Sequence, residues 1–174
     1  AGEPLDLAGL WADGPRDDGL AHARGDLFGF VPQTGGLIPF LTVAENVALP
    51  QKKTGRVDQE RCKRLVERLG LSEVAGAFPG ALSIGQRQRT AIARSLSHRP
   101  AFVIADEPTA ALDPETADAV LALFLEEALD QNCGLILASH DRERMARIDF
   151  ERWHLVAHAR TANRIESALQ VQPC

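Results

Sequence analysis

The sequence predicts an α/β fold, a mostly parallel sheet with a helical subdomain inserted into it, on three observations. Residues 101–105 (AFVIA) are apolar at every position, as expected of a strand in the middle of a parallel sheet. Residues 134–139 (GLILAS) form a second such run, and the helical stretch 114–131 between the two completes a strand–helix–strand order. Residues 42–98 carry helical spacing and no strand pattern, which makes them the inserted subdomain.

Taken in order, the alternation Pro4-Leu5-Asp6-Leu7-Ala8-Gly9 predicts an edge strand broken at Gly14-Pro15. Residues 17–24 are polar and helical in character. Residues 28–32 are a compact apolar run ending at Pro32-Gln33, a buried strand that feeds a loop kept irregular by Gly35-Gly36 and Pro39. A helix over 42–49 places Val43 and Val47 on one face. The stretch 58–69 is amphipathic: Cys62, Leu65, Val66 and Leu69 follow helical spacing, and Gly70 suits its end. A short helical piece follows over 71–79, then a helix over 86–98 with Ala91, Ile92, Ala93 and Leu96 inward. In the 114–131 helix, Val120, Leu121, Phe124 and Leu125 face the core. A strand over 152–156 and an edge hairpin within 160–171 close the reading.

Length and composition set limits. With 174 residues, 45% hydrophobic and 25% charged, the chain has room for one domain with a real core. A net charge of −5 argues against a dedicated nucleic-acid binder, which needs a basic face. Cysteines 62, 133 and 174 make no metal spacing and no disulfide framework, so the sequence reads as that of a reducing compartment. Cys62 is expected in the core. No apolar run approaches a membrane span, so any membrane role needs a partner. The first residue is Ala1, compatible with a processed or fragmentary sequence.

Candidate chemistry concentrates in residues 82–113. The strand 101–105 ends in adjacent carboxylates, Asp106 and Glu107, and ligands of open α/β sheets bind beyond the carboxyl ends of strands. There Asp106 is placed to hold a hydrated Mg²⁺, and Glu107 to orient and polarise a water. Ser83-Ile84-Gly85-Gln86 opens a helix, where free N–H groups and the helix dipole favour an anion; a plain Ser N-cap reads the same way. His140 ends the second buried strand and can donate to a phosphate oxygen or a water, whereas His22, His98, His154 and His158 read as surface or structural. Gln33, on the loop before the helical insert, is within reach of a metal or an attacking water.

These pieces together resemble the ABC ATPase family. Gln33 matches its Q-loop, residues 82–86 its signature, and 102–106 with Glu107 its Walker B strand and catalytic glutamate. Ala111-Leu112-Asp113 matches the D-loop and His140 the switch histidine, all in the family's order. Residues 41–47 (LTVAENV) further resemble the lipoprotein-release and macrolide-export branch, a lean toward export.

The resemblance implies a P-loop NTPase-like sheet in which residues 1–174 form one partial ABC ATPase domain and 42–98 its helical subdomain. It implies ATP and Mg²⁺ as cofactors and a head-to-tail dimer with a second ABC ATPase subunit. Transmembrane permease subunits complete the assembly, with the domain peripheral on the inner face of the cell membrane. Asp106 and Gln33 would serve Mg²⁺, while Glu107 would act on water and His140 on the γ-phosphate. Ser83, Ile84, Gly85 and Gln86 would meet the partner's nucleotide, and Asp113 would link the two sites.

Three departures bear on this. No Gly-x-x-x-x-Gly-Lys-Ser/Thr occurs, and Lys52, Lys53 and Lys63 all lie in or beside the helical insert. The N-terminal Walker A portion is therefore expected to be truncated, leaving a sheet with an uncovered edge or face. Ile84 stands where the family has glycine, and Ser139 where it has threonine before the histidine. The other reading is a non-hydrolytic or regulatory module that supplies only its signature face to an intact partner.

Overall fold

The computed structural model describes Gly9, residues 18–161 and residues 164–172, with side-chain surroundings as far as Trp153. The edge strand expected over 4–9 lies outside the described residues except for Gly9, which is helical. Two compact units are present, residues 1–140 and 141–174.

In the first unit, α1 (Asp18–Leu27) runs directly into β1 (Phe28–Val31). Next come α2 (Val43–Thr54), α3 (Gln59–Arg68) and α4 (Ile84–Leu96), with 3₁₀ turns at Ser72–Val74 and Pro79–Ala81. β2 (Phe102–Asp106), α5 (Pro114–Asp130) and β3 (Gly134–Ala138) follow. The three strands form a parallel sheet in the order β1-β2-β3, with β2 central as its sequence predicts. Every chain segment between β1 and β2 is helix, turn or loop.

Local chemistry explains where the helices begin and end. Thr42 caps α2 through a reciprocal pair of bonds with Glu45, and Asp58 and Asp113 cap α3 and α5. Gly55 and Gly70 end α2 and α3 at φ 69° and 63°, the left-handed backbone glycine adopts cheaply. The expected end of α2 before Pro50 is wrong by a full turn. Buried Gln51 donates to the Ser97 carbonyl at 2.9 Å and accepts from the Asp58 N–H at 2.8 Å, and this tertiary anchorage carries the helix past the proline.

The sheet packs on one face. Val31, Val103 and Ala105 are buried with Ile92 and Leu96 of α4, Val120 and Phe124 of α5, Val43 and Val47 of α2, and Cys62, Leu65 and Val66 of α3. Among the described residues the other face of the sheet is uncovered: Phe30, Phe102 and Ile136, at 55%, 46% and 54% exposed, occupy alternate positions on the three strands. β1, β2 and β3 are therefore not buried through, as their apolar runs suggested, but alternate in and out. An apolar run reports that both faces are suited to burial; it does not supply a cover for each.

His98, just past the Ser97 C-cap of α4, is buried at 3% exposure, and its ring nitrogens make no well-formed hydrogen bond. Burial holds its imidazolium below the ordinary value of 6.5, with Arg56 and Arg61 adding to the effect while the Phe28 backbone and Asp26 oppose it. The unfolded chain therefore takes up a proton near pH 6.5 that the native state refuses, so native stability falls as pH drops below that value. In urea titrations between pH 7.5 and 5.5, His98→Gln is expected to lose less stability on acidification than the parent. Parallel curves would show that His98 titrates alike in both states.

In the second unit, α6 (Arg142–Ala146) precedes β4 (Arg152–Thr161) and β5 (Arg164–Gln172), an antiparallel pair with an irregularity between Ala157 and Ala159. The hairpin expected within 160–171 is not formed there: the strand expected over 152–156 runs on to Thr161 and pairs with one strand over Arg164–Gln172, so the two expected pieces make a single, longer hairpin. Among the described residues no helix is long and apolar enough to cross a membrane.

Candidate functional site

The β2–β3 register sets Asp106 opposite Ala138, so both strands deliver their following residues to the same end of the sheet. The Glu107 N–H extends the ladder by one bond, 2.9 Å to the Ala138 carbonyl, and Glu107 sits at φ 46°. For a residue with a side chain this is a strained backbone, of a kind that collects at functional sites. The turn aims the Glu107 carboxylate back across β3. There Oε1 accepts the His140 N–H at 2.7 Å and lies 2.7 Å from His140 Nδ1, and Oε2 accepts the Ser139 hydroxyl at 3.3 Å. The Glu107 side chain is only 17% exposed, and that of His140 is 79% exposed. A shielded carboxylate thus meets a histidine whose remaining nitrogen is open to whatever binds above the strand ends. Asp106, beside it, is exposed.

A second cluster forms at the start of α4. Ser83 is the N-cap: its hydroxyl accepts the Gln86 N–H at 3.2 Å, and its own N–H donates to Gln86 Oε1 at 2.9 Å. The plain N-cap reading of this turn is therefore correct as local structure, and it commits the Gln86 side chain to the cap. Ser83 and Ile84 remain exposed. A Cβ at Gly85 would lie 3.5 Å from Thr116 Cγ2 and 3.7 Å from Leu112 Cδ2, so the first turn of α4 packs against the start of α5. Asp113 accepts from the Thr116 N–H at 3.0 Å, and its bonds to Thr116 hold its carboxyl below the usual carboxylate range.

Gln33 lies in a third place, at the first corner of a turn closed by the Gly35 N–H donating to the Pro32 carbonyl at 2.9 Å. Val31 is opposite Ala105, so this turn starts beside Asp106 at the same sheet end. Gln33 is exposed. The chain beyond it is bound by buried Asn46, whose Nδ2 donates to the carbonyls of Ile38, Leu41 and Thr42 and whose Oδ1 accepts the Ile38 N–H at 2.8 Å. Arg94 of α4 donates to the carbonyls of Gly36 at 2.8 Å and Gly35 at 3.1 Å.

Sequence reasoning named Gln33, the Ser83 turn, Asp106, Glu107, Asp113 and His140. It passed over Asn46 and Arg94, which hold loops rather than reach ligands. Arg94 stands between buried Ala93 and Ser95, but nothing in the spacing names its partner carbonyls, and Asn46 follows exposed Ala44 and Glu45 and carries no such mark.

Among the described residues no group of three or more His, Cys, Asp and Glu side chains could hold a metal by itself. What the sheet end offers is the exposed Asp106 carboxylate with an amide nearby, and Glu107 already engaged by His140. Such a donor set suits Mg²⁺, which keeps waters and takes one or two carboxylates together with a substrate's phosphates. It does not suit a fully protein-caged cation.

Residues 13–110 match the family model described as ABC transporter. The lipoprotein-releasing system ATP-binding protein LolD of Gluconobacter oxydans is 40% identical over 141 residues, 79% of this chain and 61% of that protein. The macrolide export ATP-binding/permease protein MacB of Rhodospirillum rubrum is 43% identical over 133 residues, 75% of this chain and 20% of its own. Among solved structures, the dimeric post-hydrolysis state of the ATP-binding cassette MJ0796 bound to ADP and Pi is similar, with a TM-score of 0.66 and 35% identity. It covers 74% of this chain and 58% of its own. The chain thus spans about three-fifths of the LolD relative.

Proposed function

The chain belongs to the ABC transporter family of ATP-binding domains, and from that premise we propose that it is part of an ATP-hydrolysing subunit that drives transport through a membrane partner. The observation that carries the reading is the Glu107–His140 pair, joined at 2.7 Å beyond the strand ends and beside Asp106. Such geometry suits phosphoryl transfer to water, where catalysis is mostly positioning and charge stabilisation.

In this reading Asp106 and Gln33 hold Mg²⁺, which screens phosphate charge when bound. Glu107 orients the attacking water and takes its proton, and His140, tethered to Glu107 by Nδ1, presents its outer nitrogen to the γ-phosphate. The exposed Ser83–Gly85 turn faces the nucleotide of a second ABC ATPase subunit in a head-to-tail dimer, with Ile84 narrowing that approach. Asp113, held by Thr116, links the two sites across the dimer. The subdomain 42–98 passes closure to transmembrane permease subunits, which places the domain on the inner face of the membrane. The dimeric, ADP-bound MJ0796 cassette supports the pairing and the nucleotide. A purely regulatory module has no chemical use for Gln33, Glu107 and His140 together, which weighs against that alternative.

The chain contains no Gly-x-x-x-x-Gly-Lys-Ser/Thr segment, so its side chains alone offer few contacts to the β-phosphate. Calorimetric titration of residues 1–174 with MgATP is expected to show no micromolar binding. The complete reading frame, assayed beside it, is expected to bind MgATP, dimerise on binding and hydrolyse it. Absence of nucleotide-dependent dimerisation and of turnover in the complete frame would overturn the proposal.

A further inference from the structure

Resting on the hydrolytic reading above, we propose that Arg94 is a positioning residue that ties the Gln33 turn to the helix carrying the Ser83–Gln86 turn. Two consecutive carbonyls, Gly35 and Gly36, accept from the two terminal nitrogens of one guanidinium. The bonds join residues 58 and 59 positions apart, so they are a tertiary tie and not part of a local turn. The planar fork of an arginine matches two adjacent acceptors and holds them in one orientation.

The local geometry leaves the turn little slack. Gly35 is buried at φ 76°, and a Cβ there would lie 3.5 Å from the Arg87 carbonyl oxygen, so the turn runs a side chain's width from α4. Arg87 in turn donates to the Leu82 carbonyl at 3.0 Å, securing the approach to Ser83. On the far side, Asn46 independently binds residues 38–42. Gln33 is therefore the exposed corner between the end of β1 and a loop fastened beyond it, first to α4 at Gly35 and Gly36 and then to α2 at residues 38–42.

The consequence is mechanical. Any rotation of α4 that moves its first turn toward or away from a partner's nucleotide drags Gly35 and Gly36, and with them Gln33 beside Asp106. Burial lowers the proton affinity of Arg94, but a guanidinium remains charged, so the tie holds at every physiological pH.

Arg94→Ala and Arg94→Lys in the complete reading frame test this by amide hydrogen exchange and by ATP turnover. In Arg94→Ala the Gly35 amide is expected to exchange about tenfold faster, while the Ile38 amide, bonded to Asn46, keeps its protection. Turnover is expected to fall about tenfold or more at a KM for MgATP changed less than about threefold, because a misplaced positioning group costs rate rather than binding. Arg94→Lys, whose ammonium serves one carbonyl at a time, should lie between and decides the matter if the alanine variant does not fold. Unchanged Gly35 exchange would overturn the tie. Exchange rising equally at Ile38 and along α4 would reduce Arg94 to packing, and faster Gly35 exchange with unaltered kcat would remove its catalytic relevance. If the parent frame shows no turnover, the hydrolytic reading fails, while the exchange comparison still decides whether the tie exists.

Discussion

Glu107→Gln in the complete reading frame will lower ATP turnover by about a hundredfold or more, the usual contribution of a general base, with KM for MgATP within about threefold of the parent. The substitution spares the fold for a specific reason. The Glu107 N–H bond to Ala138 is a backbone bond, and an amide oxygen can still accept the His140 N–H that now reaches Oε1 at 2.7 Å. What is lost is the ability to take a proton from water. Removal of the other partner separates the roles: His140→Ala abolishes the Nδ1 contact but leaves the backbone donor, so Glu107 keeps its place and loses its histidine. Steady-state kinetics of the two variants check the assignment. Turnover of Glu107→Gln within about threefold of the parent would mean that another group activates the water.

Gly29→Ala is expected to cost about 3 kcal/mol or more, at or above the upper end of ordinary overpacking, and Gly134→Ala about 1 kcal/mol. Both glycines lie on strands, and an added Cβ clashes at both. At Gly29 it would meet the Ser95 carbonyl oxygen at 2.2 Å, the Ser95 carbonyl carbon at 2.9 Å and Val103 Cγ2 at 3.0 Å. The first two are backbone atoms of α4, so relief requires lifting a helix that also carries Ile92 and Leu96 into the core. At Gly134 the Cβ would meet the Phe102 ring at 2.4 Å. That ring is 46% exposed and can swing aside, losing only its stacking on Phe28, whose centroid is 5.9 Å away. Urea denaturation of both variants checks the contrast. Similar losses would show that α4 does not sit against β1 as closely as Gly29 requires.

Much of the architecture was legible because it rests on local rules. Capping residues, helical spacing in 58–69 and apolar runs at 101–105 and 134–139 depend on neighbours within a turn or a strand. α3, α4, β2, α5 and β3 accordingly lie within one or two residues of where their patterns put them. α2 broke the rule at Pro50, because a buried Gln51 with partners 46 and 7 positions away outweighs one missing N–H. Sheet burial was overestimated for a related reason. An apolar strand records a preference on both faces, whereas the cover on each face comes from distant segments.

The sequence alone determined the family resemblance, and with it the order of side-chain types that makes Gln33, Ser83, Gly85, Asp106, Glu107 and His140 the candidates for its motifs. Those identities are properties of side-chain type and order, which need no coordinates. Only the tertiary structure decided how they are held. Glu107 turns back onto His140 because parallel pairing of β2 and β3 brings residues 33 positions apart within 2.7 Å. Arg94 grips Gly35 and Gly36 because α4 packs across β1. Neither contact has a signature in spacing, since a hydrogen bond between distant segments depends on where the whole core places their backbones.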